Sequence, residues 1–199
     1  MPPKVRVTRE DIIRSAVEIV RTSGADALNA RRVAAALDCS TQPVFSNFST
    51  MEELRLAVVE AADRMFQEFM QREMARGEFP PYKASGRAYI RFAQEERELF
   101  KLLYMRDRAG EVISQEDALS RQMEGMVQKN TGVSGEAAKL FHLEMWACVH
   151  GIASMLATGF LELEPELISR MLTDFFQGMK KHYADGGKAD GSHPDRRTE

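Results

Sequence analysis

The run Asn-Ala-Arg-Arg-Val-Ala-Ala-Ala-Leu-Asp-Cys-Ser-Thr-Gln-Pro-Val-Phe-Ser-Asn-Phe, residues 29–48, leaves few folds open. It reads as two short helices joined by a tight turn. Asn29 is a good N-cap, because its side-chain oxygen accepts from an orphan backbone N–H of the first turn. Val33, Ala34 and Leu37 recur at spacings of three and four, the apolar stripe of a helix. Asp38 interrupts the stripe, and Asp tolerates the left-handed backbone that a sharp turn needs. Ser40 is placed to cap a second helix, with Pro43 in its first turn, where a missing N–H costs little. Val44, Phe45 and Phe48 form that helix's apolar face, leaving Thr41, Gln42, Ser46 and Asn47 to point outward.

A short helix that is uncharged yet rich in donors and acceptors suits a DNA major groove. Gln and Asn bond bidentately to adenine, Ser and Thr serve either base type, and Pro or Thr carbons touch a thymine methyl. This is the helix-turn-helix arrangement, with 41–48 as the recognition helix. The stretch taken alone serves an ordinary αα-hairpin equally well. The flanks separate the two readings. Val33-Ala34, Leu37-Asp38-Cys39-Ser40, Val44-Phe45, Asn47-Phe48 and Glu53-Leu54 stand at the spacing of a known signature. On these residues the chain resembles the TetR family of transcriptional regulators. Asp38 and Gln42 stand where that family commonly has glycines. Phe45 replaces a tyrosine and Met51 a lysine that often meet DNA phosphates, so neither phosphate contact carries over. The resemblance implies a three-helix DNA-binding head followed by a larger helical body that binds a ligand and dimerises.

The charge distribution agrees. The net charge is −3, but residues 1–50 carry a balance of +2 and residues 51–199 one of −5. A basic head on an acidic body fits DNA contact at one end. Lys4 and Arg6 lie on a short arm that can reach phosphate or the minor groove, or stay a solvated tail. Arg31 and Arg32 open the first helix of the motif, which crosses the DNA backbone. They diverge by about 100° around the axis, so one of them faces DNA. The expected DNA contacts are Lys4, Arg6, Arg31, Arg32, Ser40, Thr41, Gln42, Pro43, Ser46 and Asn47.

Upstream, Thr8 and Asp11 form a near-match to a capping box. Ile12, Ile13, Ala16, Val17, Ile19 and Val20 make a stripe that ends at Gly24. Thr50 and Glu53 fit a second capping box, opening a long helix over 51–75 that carries Leu54, Val58, Ala62, Met65, Phe66, Phe69 and Met70. It is the one rigid element expected to touch both head and body. Further helices are predicted over 82–96, 98–106 (with Leu99, Phe100, Leu102 and Leu103 buried), 110–130, 134–160 (capped by Ser134) and 165–183. The last opens on Pro165. From 184 the chain loses periodicity and is expected to be disordered. The fold class is therefore all-α, with a head at 1–50, a body at 51–183 and a tail at 184–199.

The helix over 134–160 is apolar nearly all the way round, which requires burial on every side. Gly151, Ala153, Ser154 and Ala157 allow another helix to come close. With Met171, Phe175 and Met179 of the last helix, Gly151, Ser154 and Ala157 are the expected interface of a homodimer, two helices from each protomer. TetR-like proteins dimerise this way, and Trp146-Ala-Cys-Val-His150-Gly151 resembles a signature in the body of one branch. The same resemblance implies an effector pocket. Its candidate lining is Met65, Phe69, Phe92, Phe100, Leu103, Tyr104, Met123, Met126, Trp146 and His150, since Met and aromatic side chains adapt to irregular apolar ligands. Core packing is the alternative for each.

His142, Glu144, Cys148 and His150 are metal-ligating types, but only Glu144 and Cys148 share a helix face. No metal and no cofactor are expected. No Gly-x-Ser-x-Gly, phosphate loop or dinucleotide motif occurs, so an enzyme is not expected. With no signal peptide, no run of eighteen apolar residues and two cysteines, Cys39 and Cys148, the chain reads as a reduced, bacterial cytoplasmic protein rather than a membrane-spanning one. The function expected is a ligand-responsive regulator, more often a repressor, that binds palindromic double-stranded DNA as a homodimer and is released by a small, largely apolar molecule. The rivals are a helical dimer of the same fold under the control of a protein partner, and one that has lost DNA binding.

Overall fold

The computed structural model describes residues 7–107 and 118–185. Among these residues the structure is all-helical, with nine α-helices, one 3₁₀ turn at Ala25–Ala27 and no strand. The helices are α1 (Arg9–Ser23), α2 (Ala30–Ala36), α3 (Gln42–Asn47), α4 (Met51–Ala75), α5 (Pro81–Glu95), α6 (Arg97–Tyr104), α7 (Ala118–Thr131), α8 (Glu136–Ala157) and α9 (Pro165–Ala184). Lys4 and Arg6, the stretch 110–117 of the expected helix over 110–130, and 186–199 of the expected tail lie outside the described residues.

Local chemistry accounts for most boundaries. The Thr8 hydroxyl accepts from Asp11 N–H and the Asp11 carboxylate accepts from Thr8 N–H, a complete capping box. The Thr8 hydroxyl also donates to the Asp11 carboxylate (2.8 Å), and this bond, then that from Thr8 N–H, holds the Asp11 carboxyl below its ordinary pKa. Gly24 ends α1 at φ +81, and a Cβ there would stand 3.0 Å from Glu98 Oε2, so both backbone and space favour glycine. Thr50 Oγ1 caps Glu53 N–H, but the Glu53 carboxylate turns to Ser49 N–H, one residue earlier than a capping box requires. Glu96, at φ −120 and ψ 51, breaks α5 from α6. Ser134 lies two residues before the observed start of α8, which ends at Ala157 rather than 160, before Gly159 at φ +70.

Two compact units are present. Among the described residues, the first comprises 7–107 with 150–163. Within it α1 packs on α2, α3, α4 and α6, and α4 packs on α5 and α6. Ile12, Val20, Val33, Val44, Phe48, Leu54 and Val58 lock the first four helices together. Phe66, Ile90, Phe92, Leu99 and Phe100 continue the same core, with burial worth about 1.5–3 kcal/mol for each large side chain. Residues 7–50 thus share a packed unit with α4–α6. Leu102, expected in the core, is only half-buried, because it lies about 100° from both Leu103 and Lys101 on a short helix whose other face is wet.

The second unit comprises, among the described residues, 118–149 with 164–185. Phe141 meets Phe176 at 5.6 Å and Tyr183 at 5.4 Å between ring centroids. The Tyr183 hydroxyl donates to Glu144 Oε2 (2.9 Å), and Lys180 Nζ donates to Asn130 O (3.1 Å). Burial, then the Glu144 contact, push the Tyr183 phenol up to about 12. The α8 helix is long and apolar enough to cross a membrane by length and composition alone. It is nevertheless a core helix, with Phe141, Met145, Val149 and Ile152 buried. The expectation that it is covered on all sides fails within one chain: Leu140, Leu143 and Trp146 stand exposed.

Candidate nucleic-acid interface and the aromatic core behind it

The Asn29 side chain accepts from Arg32 N–H (3.0 Å) and starts α2. Asp38 adopts φ +48, the left-handed conformation expected of the turn, and Cys39 N–H bonds Ala34 O (3.0 Å) to close it. Ser40 does not cap α3. The cap position falls on Thr41, whose backbone is already helical, so neither hydroxyl faces the free N–H groups and no side-chain cap bond forms. Val44 and Phe48 are fully buried, and the Arg9 guanidinium lies 4.6 Å above the Phe48 ring. These contacts fix how α3 sits on the head.

The outer surface differs from the expectation at Phe45 and, less sharply, at Thr41 and Asn47. Phe45 is not part of the apolar face; it is 52% exposed. On a helix of six residues it falls about 100° from Val44 and cannot share the buried side. Gln42, Phe45 and Ser46 form the open face, Thr41, Pro43 and Asn47 are half-buried, and Ser40, Arg31 and Arg32 are exposed. Ser46 Oγ donates to Gln42 O (2.9 Å), and Asn47 Nδ2 donates to Pro43 O (2.8 Å). Arg32 Nη2 reaches Ser23 Oγ at 3.4 Å.

Behind the head, in the same unit, stands a cluster of rings. Phe66 meets Tyr89, Phe92 and Tyr104 with centroids 5.7, 5.1 and 5.5 Å away. Phe69 packs on Phe92 at 5.4 Å, and Phe100 lies 5.1 Å from Tyr104 and 5.9 Å from His150. His150 is bonded at both nitrogens: Nδ1 to the Tyr89 hydroxyl (2.9 Å) and Nε2 to Ser154 Oγ (3.3 Å). Burial raises the Tyr89 phenol and lowers the imidazole, so a protonated phenol faces a neutral histidine. Five expected pocket residues, Phe69, Phe92, Phe100, Tyr104 and His150, therefore meet in space. Leu103 is buried and Met65 half-buried in this unit. Phe66 and Tyr89, which complete the cluster, were absent from the expectation, although Ser85, Tyr89 and Phe92 keep helical spacing.

In the second unit Met123 is buried, Met126 half-buried and Trp146 exposed. Trp146, expected among the lining, is 41% exposed, while Met145 and Val149 occupy the inward side of that turn of α8. An open cleft of about 430 Å³ lies there, lined by Glu144, Asp174, Phe175, Gly178, Met179, His182 and Tyr183, none of which was an expected pocket residue. Of the expected interface, Phe175 is exposed and Gly151, Ser154 and Met171 are half-buried. Ala157 and Met179 are buried within the chain, Met179 in the wall of the open cleft.

A further link was invisible in the sequence. Arg21, near the end of α1, grips the Glu96 carboxylate at two points, Nε to Oε2 (2.7 Å) and Nη2 to Oε1. That bond, then the charge of Glu96, raises the guanidinium pKa against its partial desolvation. Glu96 is the hinge from which α6 begins, and α6 carries Phe100 and Tyr104 of the ring cluster. The long α4 is therefore not the sole connection between head and body.

A family described as the tetracyclin repressor-like C-terminal domain matches residues 82–176. The HTH-type transcriptional regulator TcmR of Streptomyces glaucescens is 27% identical over 133 residues, 67% of this chain and 53% of that protein. The chain thus spans about half the length of this curated relative. The crystal structure of a TetR-like transcriptional regulator from Rhodococcus sp. RHA1 superposes with a TM-score of 0.63 at 16% identity, covering 94% of this chain and 99% of that one. The multidrug binding protein EbrR, crystallised with imidazole, gives 0.53 at 19% identity over 84% of this chain and 88% of its own. The structural likenesses speak to the fold alone.

Proposed function

We propose that the chain is a regulator of the TetR type, a repressor that grips a palindromic operator as a homodimer and is released by a small, largely apolar molecule; the match of residues 82–176 to a tetracyclin repressor-like C-terminal domain and the likeness to TcmR support this. TetR-family regulators are not enzymes. The observation that carries the DNA limb is the open face of α3. Gln42, Phe45 and Ser46 face solvent together while Val44 and Phe48 hold the helix rigidly to the head. Arg31 or Arg32 supplies a backbone contact beside it.

The dimer limb rests on exposed apolar side chains in the second unit: Leu140, Leu143 and Trp146 on α8, and Leu167 and Phe175 on α9. Such a patch on two adjacent helices calls for a partner, and a second copy supplies the same surface by symmetry. The ligand limb rests on the ring cluster around Tyr89 and His150, which offers aromatic surface with one polar anchor. It also rests on the likeness to a multidrug binding protein. A protein that reads operator DNA and keeps two free thiols, Cys39 and Cys148, belongs in the cytoplasm.

Selection of bound duplexes from a random DNA pool tests the reading. A palindromic consensus with half-sites about 34–36 Å apart, or a multiple of that spacing, is expected. Failure to enrich any sequence would overturn it. Screening apolar and aromatic compounds for release of the selected duplex then tests the effector limb.

A further inference from the structure

The open face of α3 carries an aromatic ring that the core does not use. Phe45 is 52% exposed, whereas Val44 beside it and Phe48 one turn on are buried. On the same face Ser46 gives its one donor to Gln42 O, and beside it Asn47 gives an amide N–H to Pro43 O. The face is thus left with one extended polar side chain, Gln42, and one extended apolar side chain, Phe45. Phenylalanine has neither donor nor acceptor, so it bonds neither a phosphate nor the polar edge of a base. The one apolar feature that the major groove presents is the C5-methyl group of thymine.

We propose that Phe45 is a specificity-determining residue that reads a thymine methyl in each half-site, which rests on α3 being the recognition helix. Side chains at i and i+3 of a helix lie about 5–6 Å apart, and successive bases are about 3.4 Å apart. The thymine therefore lies within two base pairs of the base that Gln42 contacts. A glutamine bonds adenine bidentately at N6 and N7. Each half-site then holds an adenine and a thymine methyl side by side, one read by hydrogen bonds and the other by contact.

Deoxyuridine differs from thymidine by that methyl group alone, which makes the test direct. In the operator selected by the full-length protein, each thymine is replaced in turn by uracil in both half-sites, and affinity is measured. One position, within two base pairs of the base whose preference Gln42→Ala relaxes, should weaken binding about fourfold per half-site, the worth of one buried methyl-sized group. Phe45→Ala should weaken the thymine duplex and bring the thymine-to-uracil ratio at that position to one. Phe45→Leu, which keeps an apolar side chain and guards against a folding defect in the alanine variant, should retain part of the ratio. A ratio near one at every position for the wild-type protein would overturn the proposal while leaving operator binding intact. So would a full ratio that survives in Phe45→Ala. Equal weakening of thymine and uracil duplexes by Phe45→Ala would likewise overturn it, in favour of a contact to sugar. If no duplex is enriched at all, the recognition helix itself is refuted and this proposal with it.

Discussion

At the scale of single residues, the side chains that matter are those whose neighbours limit what they can do. Gln42 is exposed, and its side chain is open to a base edge while Ser46 and Asn47 are turned back to the backbone of their own helix. Gln42→Ala should relax base preference at one position per half-site at a cost of about 1–3 kcal/mol. Arg31→Ala should weaken all sequences alike and flatten the salt dependence. Binding measured across single-base operator variants separates these outcomes, and an unchanged preference would remove Gln42 from the readout. His150 makes a second prediction. Its folded pKa lies below the ordinary 6.5 because burial disfavours the charged ring, and His142 is lowered for the same reason against the opposing pull of Glu124. Above pH 6.5 both folded and unfolded chains are neutral at these sites, so stability does not depend on them. Below it the unfolded chain takes up protons that the folded chain resists, and stability falls. Thermal melts at pH 7.5 and 5.5 should show this drop, and His150→Asn should reduce it. An identical drop in the variant would show that His150 does not drive it.

At the scale of elements, α6 is short but carries two separate contacts. Its start is tied to α1 by the Arg21–Glu96 pair, and its body presents Phe100 and Tyr104 to the ring cluster. An effector that moves those rings moves the helix whose hinge holds the head, by a shorter route than along α4. The pair is also better placed than most surface ion pairs, since Glu96 keeps only 12% of its side-chain surface exposed while Arg21 keeps 42%. Removing Arg21 leaves that carboxylate poorly solvated. Arg21→Ala should therefore cost about 1–2 kcal/mol of stability, and Glu96→Ala less, since the freed guanidinium is wet. A double-mutant cycle should return a favourable coupling near 1 kcal/mol; additive losses would show the pair to be incidental. If α6 transmits the signal, Arg21→Ala should also lower the ratio of DNA affinities without and with effector, leaving the preferred operator sequence unchanged. Linkage then requires DNA to weaken effector binding by the same factor.

At the scale of the whole molecule, the exposed side chains of Leu140, Leu143, Trp146, Leu167 and Phe175 are the surface on which the proposed dimer rests. Water-facing apolar side chains on two neighbouring helices are an aggregation hazard unless a partner covers them. Phe175→Glu should convert a dimer into a monomer or a less soluble protein, because a charge would be buried without a counter-ion. Sedimentation at micromolar concentration checks this, and a wild-type monomer would end the idea. Loss of the dimer should also cost far more DNA affinity than any single base contact, since two half-sites bound by one rigid body gain from effective concentration.

The sequence by itself determined what depends on neighbours along the chain. Caps at Thr8, Asn29 and Thr50, the left-handed turn at Asp38, the stop at Gly24 and the 3.6-residue stripes all act within a few residues, so their chemistry is legible in order. With the family resemblance, that was enough for an all-helical fold and for the two short helices and turn at 29–48. Tertiary structure alone decided which side of each stripe stays wet. Phe45 and Trp146 match their buried neighbours in hydrophobicity, and only the packing of other helices leaves them outside. It alone brought Arg21 to Glu96 across seventy-five residues and Tyr89 to His150 across sixty-one. Such pairings are set by how helices cross, and no local pattern in the chain encodes a crossing.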